Sequence, residues 1–100
     1  STMPPRDRED AVLHFLFTHG FPLPPKPIFR GLKITENITF SYRTVQNICM
    51  RLEDQGLMIR CDKQAMDNGK IKPLSPTSNV KRTYYYPTAD AMERIEDYEA

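Results

Sequence analysis

The chain predicts an α+β fold. Three observations carry this: amphipathic helical patterns fill its first half and its C-terminal end, two short β-branched and aromatic runs lie between them, and proline or glycine separates the pieces. One hundred residues make one domain, 1–100, whose single core is marginal in buried area and could be completed by a second copy. The opening stretch, residues 1–5, reads as a disordered remnant: Ser1-Thr2 before a native methionine, then two prolines.

The elements follow in order. Arg6 to His19 is helical in pattern, with Val12, Phe15, Leu16 and His19 on one stripe, Leu13 and Phe17 on a second, and Gly20 as the stop. A helix apolar on two faces needs two surfaces, and the second is expected from another subunit. Phe21-Pro22-Leu23-Pro24-Pro25 cannot be helix interior, so it is an extended linker or a very short strand. Pro25 or Pro27 can open a short second helix through Ile28, Phe29, Leu32 and Lys33, which ends before the turn-forming Thr35-Glu36-Asn37.

The third helix, 41–55, is the best marked. Ser41 can accept from first-turn N–H groups, Val45, Ile48 and Leu52 recur at helical spacing, and Gly56 offers a left-handed exit. Leu57 to Asp62 then reads as a strand, and Val80 to Tyr86 as its antiparallel mate. Asp67-Asn68-Gly69 and Lys72-Pro73-Leu74-Ser75-Pro76 lie between them, turn chemistry without periodicity, which predicts a long, mobile, basic hairpin tip over 63–81. Tyr84 and Tyr86 share one face of their strand and Tyr85 takes the other, so core packing accounts for them better than base stacking. Pro87 ends the strand, Thr88 can cap, and Ala91, Met92, Ile95 and Tyr98 give a last helix, 88–99, one apolar stripe.

A net charge of +1 hides an asymmetry, since residues 21–86 sum to +6 and residues 87–100 to −4. A basic body with an acidic tail suits a polyanion on one face and another contact at the C-terminus. Cys49 and Cys61 form no CxxC, and His14 and His19 stand on different sides of a helix, so free thiols, no metal and no cofactor are expected. The sequence offers no nucleophile beside an acid–base pair and no glycine-rich phosphate loop, which argues against an enzyme. No apolar run approaches a membrane span, and a cytoplasmic, nucleoid-associated location follows as the expectation.

Helix, helix, helix, strand, wing, strand, helix is the order of a winged helix-turn-helix, a three-helix core with a two-stranded β-wing and an additional C-terminal helix. Ser41-Tyr42-Arg43-Thr44-Val45-Gln46-Asn47, followed by Arg51-Leu52-Glu53-Asp54-Gln55-Gly56-Leu57-Met58, resembles the recognition helix and first wing strand of many archaeal and bacterial repressors. With Pro-Lys-Pro-Ile-Phe-Arg-Gly-Leu at 25–32, the span from Leu13 to Tyr86 is most similar to the phage phiH repressor-like winged-helix proteins of halophilic archaea, although it lacks the strong acidity usual in halophiles. The resemblance implies a transcriptional repressor that binds double-stranded DNA as a homodimer.

Groove geometry then assigns roles. A helix entering a major groove about 12 Å wide brings its first turns to the base edges, which makes Tyr42, Arg43, Gln46 and Asn47 the candidate readers. Thr39 and Ser41 at the helix start, Thr44 and Arg51 along it, and Lys70, Lys72, Lys81 and Arg82 on the wing are candidate phosphate contacts. Leu13, Phe17, Met92, Ile95 and Tyr98 are the candidate dimer interface. The alternative is a winged helix used for protein contact, whose mark would be apolar residues on the outward face of helix 41–55. Only Met50 and part of Tyr42 are apolar there.

Overall fold

The computed structural model describes residues 5–75 and 83–99, with side chains for 7–75 and 83–94. The element order is α1 (Pro5–His19), α2 (Pro25–Thr35), α3 (Tyr42–Asp54), β1 (Met58–Arg60), α4 (Lys63–Asp67), β2 (Tyr85–Pro87) and α5 (Ala89–Glu99). β1 and β2 pair antiparallel, with Met58 opposite Pro87, Ile59 opposite Tyr86 and Arg60 opposite Tyr85. Among the described residues this is an α+β unit of five helices and one two-stranded sheet.

α1 starts at Pro5, inside the stretch expected to be disordered. A proline there forfeits nothing, because the first N–H groups of a helix have no partner. Residues 1–4 lie outside the described residues. The helix then runs through the middle of the fold, packed against α2, α3, α5 and β2. Ala11, Val12, Leu13 and Leu16 are each at most 2 % exposed. Leu13 therefore does not belong to a spare stripe awaiting another subunit: β2 and α5 fold back onto α1 and supply its second surface within the chain. Phe17, its expected companion, remains 39 % exposed.

Ile28 and Leu32 of α2, Val45, Ile48, Cys49 and Leu52 of α3, Met58, Tyr85 and Ala91 complete the core, with Ile38 and Phe40 from the turn between α2 and α3. α1 and α2 come close where Gly31 faces Phe15; a Cβ at position 31 would fall within the Phe15 ring. Asn37 adopts φ 52° in the following turn, a conformation asparagine tolerates better than most residues. α3 ends as its glycine predicts: Gly56 takes φ 75°, its N–H bonds Glu53 O at 3.1 Å, and the Leu57 N–H reaches back to Leu52 O at 2.9 Å. Those two bonds satisfy carbonyls the helix would otherwise leave open.

The segment after β1 departs from expectation. It holds a short helix, α4, whose start is capped by Asp62 Oδ2 accepting from the Ala65 N–H at 3.2 Å. The chain then returns along β1: the Asp62 N–H donates to Lys72 O at 2.9 Å, the Leu74 N–H to Arg60 O at 2.8 Å, and Cys61 bridges Pro73. Residues 63–75 are thus tied to β1 rather than forming a structureless tip. The second strand begins at Tyr85, and Lys81 and Arg82 lie outside the described residues. Thr88, expected as a cap, donates its hydroxyl to Gly56 O at 2.9 Å and so fastens the start of α5 to the end of α3.

Cys49 and Cys61 are free and buried. Burial disfavours the thiolate and pushes Cys49 up to about 12 and Cys61 up to about 11, against an ordinary 9.0. The folded protein therefore keeps two protons that the unfolded chain releases above about pH 9. This stabilisation is complete below that pH and is lost as the pH rises towards 11. Urea midpoints should fall between pH 8 and pH 10.5, roughly, and a thiol reagent at neutral pH should label neither cysteine until denaturant is added. Rapid labelling of the native protein would contradict the buried placement.

Candidate nucleic-acid interface

The buried face of α3 carries Val45, Ile48, Cys49 and Leu52, all fully enclosed. Helical spacing then forces Tyr42, Arg43, Gln46, Asn47 and Met50 onto the opposite side, where they form one wall of an open groove of about 960 Å³. Pro24, Pro25, Lys26, Pro27 and Arg30 make the second wall at the start of α2, and Thr83 and Tyr85 close the groove on the sheet side. All four residues expected to read bases meet there. Lys26, Arg30 and Arg43 are its charged residues, and no acidic side chain lines it among the described residues.

The position of the second wall follows from the linker. Leu23 exchanges both backbone hydrogen bonds with Tyr85, at 3.2 and 3.0 Å, and lies beside β2 as the very short strand its sequence allows. Pro24 and the first turn of α2 then stand across from α3 by continuity of the chain. Lys26 and Arg30 escaped attention in the sequence because they sit behind a proline run, outside the capped helix. The available signal was their spacing of four, which puts two cations on one helix face.

Within α3 the expected roles divide. Arg43 and Asn47 are exposed and Gln46 half-buried. Tyr42 is half-buried, its ring 5.9 Å from that of Phe29 and 4.3 Å below the Lys26 ammonium. Ser41 Oγ caps the helix by accepting from the Thr44 N–H at 3.2 Å and lies 3.2 Å from the Thr44 hydroxyl, so the two side chains engage each other and neither lines the groove. Thr39 is exposed beside them. Arg51, expected on a phosphate, directs its Nε to Glu9 Oε2 of α1 at 2.8 Å. Lys70 and Lys72 are exposed on the segment that returns along β1, away from the groove lining.

Glu9 anchors more than α3. Its other oxygen, Oε1, accepts from Arg94 Nη2 of α5 at 3.3 Å, and Arg94 Nη2 also lies 2.7 Å from Asp10 Oδ1, there as an ion pair without hydrogen-bond alignment. Both carboxylates are buried, so pairing is what makes their charge tolerable. At the far end of α3, Arg60 Nε lies 2.9 Å from Glu53 Oε2 and is held above its usual range chiefly by its hydrogen bond to Glu53. α3 is thereby fixed to α1 and β1 by two side chains of its last turn, neither of which lines the groove.

Of the expected dimer surface, Phe17 and Met92 are 39 % and 38 % exposed, while the side chains of Ile95 and Tyr98 lie outside the described residues. The described residues include no cluster able to hold a metal ion and no helix long and apolar enough to cross a membrane. Comparison with known protein families, with curated proteins and with solved structures finds no match to this chain.

Glu9→Gln should lower stability by about 1–3 kcal/mol, because Arg94 would keep only one charged partner in a site that is mostly dry. The Arg51 contact is half-exposed and contributes the smaller share. Urea denaturation measures this, and an unchanged midpoint would show that the cluster is solvated.

Proposed function

We propose that this chain is a sequence-specific regulator that binds double-stranded DNA in the manner of a winged helix-turn-helix, as a homodimeric repressor. The observation that carries the reading is the outward face of α3: Arg43, Gln46 and Asn47 share one groove with Lys26 and Arg30, and no carboxylate lines it among the described residues. Arginine pairs bidentately with guanine, glutamine or asparagine with adenine, and each needs an unobstructed approach to a base edge. Exposure gives Arg43 and Asn47 that approach.

The element order supports the same reading, with α2 and α3 as the helix-turn-helix, β1 and β2 as the wing strands and α5 as the added helix. In this arrangement α3 enters the major groove N-terminus first, and Lys70 and Lys72 on the segment after β1 lie towards the neighbouring backbone. Repression follows from occupancy of a promoter. The protein-contact alternative draws on Met50, which is 47 % exposed, but it leaves the surrounding amides and cations without a role.

Selection of duplexes from a random library should return a defined site. Arg43→Ala should then cost about 1–3 kcal/mol in specific binding and relax discrimination at one base pair. Equal affinity and equal base preference in the variant would remove Arg43 from the reading set. A library that returns no preferred duplex would defeat the DNA reading as a whole.

Dimerisation is expected through the partly exposed Phe17 and Met92, without the buried Leu13. A dimer sets two copies of α3 in successive major grooves, so the selected site should be pseudo-palindromic with half-sites about 34 Å apart. Phe17→Asp should leave the fold intact and weaken self-association in sedimentation. A monomer at tens of micromolar together with an asymmetric site would exclude the dimer.

A further inference from the structure

Lys26 is an exposed residue in the first turn of α2, yet its ammonium is 4.3 Å from the centre of the Tyr42 ring and 5.9 Å from that of Phe29. The two rings are themselves in tilted contact at 5.9 Å, so one lysine joins the first turns of α2 and α3. An exposed cation–π contact is weak, and holding a lysine in one rotamer costs a comparable amount, so stability alone does not explain the arrangement. What it does accomplish is to hold a positive charge over the groove.

The surrounding backbone makes that placement matter. Pro25 and Pro27 have no N–H, and the Ile28 N–H already bonds Pro24 O at 3.3 Å. The start of α2 therefore lacks the row of free amides with which helix ends bind anions, and any anion on this wall must be met by side chains. Arg30 follows Lys26 by four residues and lines the same groove, which puts the two side chains on one helix face with Cβ atoms roughly 6 Å apart.

We propose that Lys26 and Arg30 hold the phosphates of the DNA strand that runs along the α2 wall, and that Tyr42 is the platform that presents Lys26 to its phosphate rather than a reader of bases. The assignment rests on the reading of this groove as a duplex-DNA site. Preorganisation is the physical gain: a lysine already resting on a ring loses less rotamer freedom when it meets a phosphate. The outward N–H groups of the ammonium stay available to the anion while its inner side faces the ring. Tyr42 then acts on every sequence alike, because a phosphate carries no base information.

Binding of two duplexes, one selected by the protein and one shuffled, would be measured by fluorescence anisotropy across roughly 50–300 mM salt for wild type, Lys26→Met, Arg30→Met, Tyr42→Phe, Tyr42→Leu and the Lys26→Met/Tyr42→Leu double variant. Lys26→Met and Arg30→Met should each weaken both duplexes by a similar factor, about five- to tenfold at low salt, and each should reduce the log–log salt slope by about 0.9. Tyr42→Phe keeps the ring and should stay within about twofold of wild type, whereas Tyr42→Leu should lose about threefold on both duplexes with their ratio unchanged. In the Lys26→Met background the leucine should have no further effect, since the platform then has nothing to present. Additive effects, a changed ratio in Tyr42→Leu, or an unchanged slope in Lys26→Met would each overturn the assignment while leaving the DNA reading intact. Failure of the wild type to bind either duplex would overturn both. Circular dichroism and melting of each variant separate these outcomes from loss of fold.

Discussion

A single backbone pairing sets the geometry on which the rest depends. Between Phe21 and Pro25 three of five residues are prolines, so Leu23 is the one interior position that can both donate and accept. It does both with Tyr85, which on its other side faces Arg60 across the β1–β2 pair. The register of the linker against the sheet is therefore fixed at one residue, because a slip in either direction would offer a proline where an N–H is required. From this junction α2 must start opposite α3. The burial of the Tyr85 side chain in the core keeps the junction in place, and a groove rather than a flat face is the result.

A second constraint fixes how α3 is turned. Hydrophobic packing specifies which side of a helix faces inward but tolerates some rolling about the axis, since aliphatic contacts are not directional. The ionic contacts of α3 are directional. Arg51 reaches Glu9 on α1, Glu53 reaches Arg60 on β1, and Glu9 and Asp10 in turn hold Arg94 of α5. A carboxylate buried this deeply is costly if its partner moves, so the cluster penalises rotation even where it adds little net stability. Arg43 and Asn47, two turns and one turn before Arg51, inherit a fixed bearing from it.

Much of this was legible in the sequence, and the losses have a common cause. α3 was bounded to within a residue because Ser41 and Gly56 are local signals, read without knowledge of the rest of the chain. The extended linker before Pro25 and the acidic last helix follow from equally local chemistry. Leu13 and the segment 63–75 depart from expectation because their fates are decided by contacts distant in sequence, α5 returning over α1 and Lys72 to Leu74 closing on β1, and the pairing of Arg51 with Glu9 is hidden for the same reason. α4 was missed for another reason. At five residues it is too short to show periodicity, and its one mark, Asp62 as a cap, lay at the end of a predicted strand.

The candidate site shows what structure subtracts from a list of residue types. Tyr42, Ser41, Thr44 and Arg51 all have chemistry suited to DNA, yet each already has an intramolecular partner: Lys26 and Phe29, one another, and Glu9. On the proposed function, Arg43, Gln46 and Asn47 remain to distinguish bases. At about 1–3 kcal/mol for each good bidentate contact, three readers supply roughly 3–9 kcal/mol of discrimination at most, and fewer if Gln46 and Asn47 share one base pair. Specific binders exceed their own non-specific affinity by roughly 4–10 kcal/mol. Three full contacts would reach most of that range, whereas two contacts, roughly 2–6 kcal/mol, reach only its lower half, and two copies of α3 on a symmetric site double either figure. On the proposed function, a second chain per site therefore supplies the margin that one α3 has only when all three readers make full contacts, independent of how much apolar surface Phe17 and Met92 leave exposed.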